Sequence, residues 1–210
     1  MTKVKFCGFT NLENTQNALD LGVNYLGFNF YEKSPRHISV LKYQEIYSRL
    51  IFTLNPKVQA VAVLVNPNEN LVNQILDCGI KILQFHGQEP VEFCLQFKKP
   101  GIEIWKAVSQ ELSLQKIKQY LVLDKILLDG PKKADYTSGK EHFSEFEKFI
   151  ELKQLIPTIL AGGLNLTNIT QYLEILKPEI VDIASGIEIS PGIKDENKMS
   201  NFMQIFPTTN

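Results

Sequence analysis

One alternation recurs eight times along the chain: a short, apolar, β-rich run followed by a longer segment whose apolar residues have helical spacing. The runs are VKFC, YLGFNF, QAVAVLV, KILQFH, IEIWKAV, KILLD, TILAG and IVDIAS. Helical segments are expected to open near Asn11, Ser39, Asn68, Glu89, Gln110, Phe143, Asn165 and Asp195. Asn11 leads into LENTQNALDLG and Asn68 into ENLVNQILDCG, each an N-cap residue type before a periodic stretch that closes on glycine. Strands buried on both faces read as nearly continuous apolar sequence, so eight such strands alternating with eight helices predict a (β/α)8 TIM barrel of the α/β class. An open doubly wound sheet is the alternative. It usually has fewer strands and often carries GxGxxG after the first, where this chain has CGFTNL.

With 210 residues, 44% of them hydrophobic, the chain can bury one barrel and little else, so a single domain over residues 1–210 is expected. Lys plus Arg number 22 against 23 Asp plus Glu, which leaves no broad basic field for nucleic acid. No apolar run approaches the ~20 residues that cross a bilayer, and no signal sequence precedes the first strand. A soluble, cytoplasmic protein with no membrane partner is the expectation. Cys7, Cys78 and Cys94 are odd in number and lack CxxC or Cys-His spacing, so neither a disulfide framework nor a metal site is indicated.

In such a barrel the residues closing each strand form the rim where active sites are built. That rim holds Cys7, His86, Asp129, Gly162-Gly163 and Ser185-Gly186. Residues two apart share a strand face, so Lys5 lies with Cys7, Gln84 with His86, and Asp182 with Ala184. Each has an ordinary structural reading: Cys7 as inert packing, Asp129 as the opener of a turn before Gly130-Pro131, His86 as a satisfied core histidine. The glycine pairs in AGGLNLTN and ASGIEISPG carry more as a set. They present backbone amides after strands seven and eight, where barrels commonly bind phosphate, and a short helix opening at Ser185-Gly186 would add its positive end.

In this order the pieces resemble the phosphoribosylanthranilate isomerase family. KFCGFTNLEN is similar to that family's KICGIT opening, GFNFYEKSPRHIS to its GF.F...SPR.VS, and ILQFHGQE to its QLHG.E. ILLDG, ILAGGLN, VDIASGIE and SPGIKD follow as its LLD, LAGGLNP, VD.SSGVE and PG.KD, so the likeness runs from residue 3 to about residue 200. It departs after the sixth strand, where the family's GG[TS]GKTFDW is YTSGKEHFSEF, and beside the thiol, where Phe6 and Phe9 replace isoleucines.

The resemblance implies an Amadori rearrangement of N-(5-phosphoribosyl)anthranilate to 1-(2-carboxyphenylamino)-1-deoxyribulose 5-phosphate, a step of tryptophan synthesis. It assigns the general acid to Asp129 and the general base to Cys7. Arg36 would grip the substrate carboxylate, while Gly162, Gly163, Ser185 and Gly186 would hold the phosphate. His86 and Asp182 would have lesser substrate-binding or orienting roles. The chemistry requires no cofactor, and the working state would be monomer or homodimer. Acid and base must be tuned oppositely: burial against apolar groups would keep Asp129 protonated, and the Lys5 cation on the same strand face would draw Cys7 toward thiolate. Pentose-phosphate epimerases need a metal-holding histidine pattern that is missing here. The related histidine-pathway isomerases generally place aspartate at the position of Cys7. A non-catalytic barrel that retains only the phosphate grip is the remaining alternative.

Overall fold

The computed structural model describes residues 1–50, 58–109, 111–130 and 143–206, with residues 143–146 described by backbone alone. Strands β1 (Lys3–Cys7), β2 (Tyr25–Asn29), β3 (Gln59–Leu64), β4 (Ile82–Phe85), β5 (Glu103–Ser109), β6 (Lys125–Asp129), β7 (Thr158–Ala161) and β8 (Ile180–Ile183) pair in chain order. All eight are parallel, and β1 closes the barrel on β8 with Lys5 opposite Asp182. Helices α1 (Leu12–Asp20), α2 (Val40–Arg49), α3 (Glu69–Asp77), α4 (Val91–Leu95), α5 (Leu114–Ile117), α6 (Phe143–Leu155), α7 (Ile169–Leu176) and α8 (Glu196–Ile205) fill the connections. Among the described residues no helix is long and apolar enough to cross a membrane.

The side chains of Asn11, Ser39, Asn68 and Asp195 each accept a backbone N–H from the first turn of the helix that follows, as their positions predict. Three helix starts differ from expectation. The Glu89 carboxylate turns inward to accept backbone N–H groups of Asn66 and Gly87, so α4 opens after Pro90 instead. Gln110 lies outside the described residues, and the cap of α5 is Ser113, whose hydroxyl accepts from Lys116 N. Asn165 closes a turn by accepting from Thr167 N, which delays α7 to Ile169. A hairpin of β9 (Glu188–Ser190) and β10 (Ile193–Lys194) after the eighth strand was not anticipated.

The period of two divides each strand between two apolar shells. Tyr25, Val61, Ile82, Trp105, Leu127, Ile159 and Ile180 fill the interior, with the Tyr25 and Trp105 rings packed edge to face at 5.3 Å. The alternate residues, among them Phe6, Phe28, Leu83 and Leu128, pack outward beneath the helices. Toward the carboxyl ends of the strands the interior turns polar, beginning with Lys5, Gln84 and Asp182, all buried.

A buried ion pair lies in the outer shell. Lys106 of β5, 2% exposed, donates to the carbonyls of Gly87 (2.8 Å) and Ala107 (3.0 Å) and to Glu89 Oε2 at 3.1 Å. This pair sets the turn after β4, on which His86 sits. Removing one partner of a buried pair strands the other charge, so Lys106→Met is expected to lose about 3–5 kcal/mol of stability in urea unfolding. Adding Glu89→Gln should recover at least about 1 kcal/mol of that loss. Additive losses would show that the pair is not coupled.

Candidate active site

The floor of the mouth is an ion pair. Lys5, fully buried, donates to Asp182 Oδ2 at 2.8 Å across the β1–β8 seam. One pleat higher on β1 stands Cys7, partly buried. Gly27, its partner on β2, makes room for both: a Cβ there would lie 2.5 Å from Cys7 Sγ and 3.0 Å from Lys5 Nζ. Burial alone would push the Lys5 ammonium down, but Asp182 and Cys7 hold it above the ordinary lysine range. Burial pushes the Cys7 thiol up, and the pull of Lys5 and Lys194 does not offset it, because Asp182 works against them. Lys5 draws Cys7 toward thiolate as expected, but burial outweighs that pull. Its charge is already matched by Asp182.

Asp129 ends β6, three strands around the rim from Cys7. Its carboxylate is not wrapped in apolar side chains as expected. It is 28% exposed, and Oδ2 lies 3.6 Å from His86 Nε2. His86 is likewise no core histidine: its ring is about one-third exposed, with Nδ1 3.4 Å from Gln84 Nε2. Both face the mouth. Behind Asp129, Gly130 N donates to Ala161 O, and Gly130 passes so close to Gly162 that a Cβ on Gly162 would sit 2.2 Å from Gly130 N. The strand end that carries Asp129 and the candidate phosphate loop are therefore in backbone contact.

Arg36 reaches the mouth from the connection between β2 and α2, its aliphatic stem laid across Gly8. A Cβ on Gly8 would stand 2.5 Å from Arg36 Cδ. Its Nε donates to Glu188 Oε1 at 2.8 Å and its Nη2 to Glu188 Oε2. These bonds hold the guanidinium above its usual range. One edge of the planar fork is thus occupied by the protein, and the opposite edge is the one available to a substrate carboxylate.

Gly162 and Gly163 both take positive φ, +92° and +59°, which lets the chain double back directly after β7. The Gly163 carbonyl accepts from the side-chain amides of Asn165 and Asn168, both at 3.1 Å. Asn168 Oδ1 accepts in turn from Asn165 N, so this asparagine pins the loop. A short helix does open at Ser185-Gly186, but it is a 3-10 helix of three residues, so little helix dipole is added there. Gly186 lies flat against the same loop: a Cβ would meet Leu164 O at 2.1 Å. The two glycine pairs form one continuous lip, and Asp182 stays below it on the floor with Lys5. Residues 131–142, which include the altered YTSGKEH stretch with Lys132, Lys133 and His142, lie outside the described residues.

Sequence reasoning did not single out Glu188, Lys194 or Asn168. A signal existed for the first two: opposite charges flank Pro191-Gly192 in IEISPGIK, the pattern of a hairpin with a cross-strand ion pair.

The family model for N-(5'-phosphoribosyl)anthranilate (PRA) isomerase matches residues 4–205. An N-(5'-phosphoribosyl)anthranilate isomerase of Legionella pneumophila (strain Lens) is 40% identical over 206 residues, which is 96% of this chain and 95% of that one. The crystal structure of the Thermotoga maritima phosphoribosyl anthranilate isomerase is similar at a TM-score of 0.80 and 31% identity, over 97% of this chain and 98% of that one. A phosphoribosyl anthranilate isomerase solved with reduced 1-(o-carboxyphenylamino)-1-deoxyribulose 5-phosphate matches at a TM-score of 0.79 and 30% identity, over 97% of both chains. Likeness of this depth, extending from the first strand through the last helix, places the chain in the N-(5'-phosphoribosyl)anthranilate isomerase family.

Proposed function

We propose that this barrel catalyses the Amadori rearrangement of N-(5'-phosphoribosyl)anthranilate in tryptophan biosynthesis, with Asp129 as general acid and Cys7 as general base. The observation that carries the assignment is the placing of a thiol and a carboxyl on β1 and β6 of one rim, with Arg36 and the glycine lip between them around the mouth. Anthranilate carboxylate on the free edge of Arg36 and 5-phosphate on the lip of Gly162, Gly163, Ser185 and Gly186 would stretch the sugar between acid and base. The small-molecule substrate fixes the reaction class, an isomerisation with no net gain or loss of atoms.

Asp129 gives a proton to the ring oxygen, the C1–O bond breaks, and the nitrogen lone pair forms a protonated Schiff base. Cys7 then takes the proton from C2, and the electrons of that bond move to neutralise the iminium as an enolamine. Reprotonation at C1 and loss of the 2-hydroxyl proton yield the aminoketose. The partly exposed Asp129 gains its apolar cover from the bound aromatic ring, and His86 at 3.6 Å orients its carboxyl. The cation that forms next to C2 acidifies the C2–H bond, and the thiolate form of Cys7 takes that proton, its own proton having passed to solvent. Asp182 acts from below through Lys5.

In the free protein, the pH midpoint for alkylation of Cys7 by iodoacetamide should lie above the ~8.5 of an ordinary thiol. A midpoint below that value would contradict the burial argument. Cys7→Ala and Asp129→Asn should each lower kcat at least ~100-fold with the fold intact. Arg36→Met should raise KM by at least about tenfold as well, since it removes a charge-assisted contact. In cells, the wild-type chain should restore growth without tryptophan to a strain lacking the isomerase, and Cys7→Ala should not. Growth restored equally by both would remove Cys7 from the mechanism.

A further inference from the structure

The hairpin after β8 has no role in the reading above, yet it carries a carboxylate that grips Arg36. Glu188, 7% exposed, accepts from Arg36 Nε and Nη2, from Lys194 Nζ at 2.8 Å and from Gly192 N at 3.0 Å. Lys194, 2% exposed, also donates to the carbonyl of Cys7 at 2.5 Å and to that of Ala184 at 3.4 Å. All three ammonium protons are thus directed: one to Glu188, one to the end of β1, one to the chain leaving β8. The ammonium also lies 5.6 Å from the centre of the Phe9 ring.

We infer that Lys194 and Glu188 are positioning residues of the isomerase: Lys194 fixes the Cys7 end of β1, Glu188 fixes Arg36, and their mutual bond couples the base to the carboxylate clamp. The inference rests on the roles proposed above for Cys7 and Arg36. Two cations share one carboxylate, so the cluster carries a surplus positive charge at the mouth, suited to an anionic substrate. The charges acting on Cys7 come from every side: Lys5 on its own strand, Asp182 on β8, Lys194 on β10 and Arg36 from the β2–α2 connection. Lys5 is offset by Asp182 at 2.8 Å. Lys194 shares its counter-ion with Arg36, which leaves it the less neutralised of the two lysines near the thiol.

Lys194→Met tests this without orphaning a buried charge, because Glu188 keeps Arg36. With circular dichroism and urea midpoint checking the fold, kcat for phosphoribosylanthranilate should fall about tenfold while KM stays within about threefold. The Cys7 alkylation midpoint, read by iodoacetamide without substrate, should rise, and Lys194→Arg should restore it. Glu188→Gln should show the opposite split, with KM raised at least about tenfold and kcat changed less. A folded Lys194→Met protein with unchanged kcat and alkylation profile would overturn the inference. Should that variant not fold, an unchanged KM in Glu188→Gln would do so. The alkylation arm needs no turnover, so a failed base assignment, seen as an active Cys7→Ala, is distinguishable from a failed positioning role.

Discussion

The bond between Lys5 and Asp182 joins the first strand of the barrel to the last, and the site is built on top of it. Closing eight strands brings residues 5 and 182 into register, and the pair sits at that seam at 2.8 Å with both groups buried. Buried ion pairs are weak evidence for stability, since desolvation of two charges offsets most of their attraction. Asp182 Oδ1 finds no donor among the described residues, which makes this pair a poor stabiliser and a costly one to keep. What it provides is a fixed ammonium under the thiol of Cys7 whose charge is largely cancelled. The thiol therefore feels burial first, and burial holds it above the ordinary thiol range.

A second pair, Glu188–Lys194, lies at the same seam one layer higher, with Lys194 donating to the Cys7 carbonyl. The two pairs divide the work. The lower one fills an interior cavity that Gly27 leaves open, and the upper one spans the β1 and β8 ends and reaches Arg36. Opposite them, the strand end at Asp129 is tied to the Gly162 loop by the Gly130–Gly162 backbone contact. Close approaches of this kind admit no side chain, which explains glycine at positions 162 and 186 without appeal to flexibility.

The barrel was legible because strands buried on both faces leave an unmistakable apolar signature, and all eight runs became strands. Strand ends were equally legible, since where β1, β4 and β6 stop is where their apolar runs stop, at Cys7, just before His86, and at Asp129. Helix starts are less legible wherever a polar residue serves tertiary structure: Glu89 has the look of a helix start and instead braces Lys106 in the outer shell. The balance of charges on Cys7 is legible only in part. The strand face of Lys5 follows from the period of two, but its partner is set by barrel register, which no local pattern encodes. Glu188 and Lys194 escaped notice because their importance lies in contacts with residues about 150 and 190 positions earlier.

The account stands on a thiol and a carboxyl meeting one sugar from two sides. A crystal structure of this protein with the reduced product analogue tests that most directly. The account predicts Cys7 Sγ within about 3.5 Å of the carbon that loses its proton, the Asp129 carboxyl on the opposite side near the ring-derived oxygen, and the ligand carboxylate on the edge of Arg36 that Glu188 leaves free. A ligand bound with Cys7 directed away from that carbon, or with Asp129 out of reach of the oxygen, would contradict it.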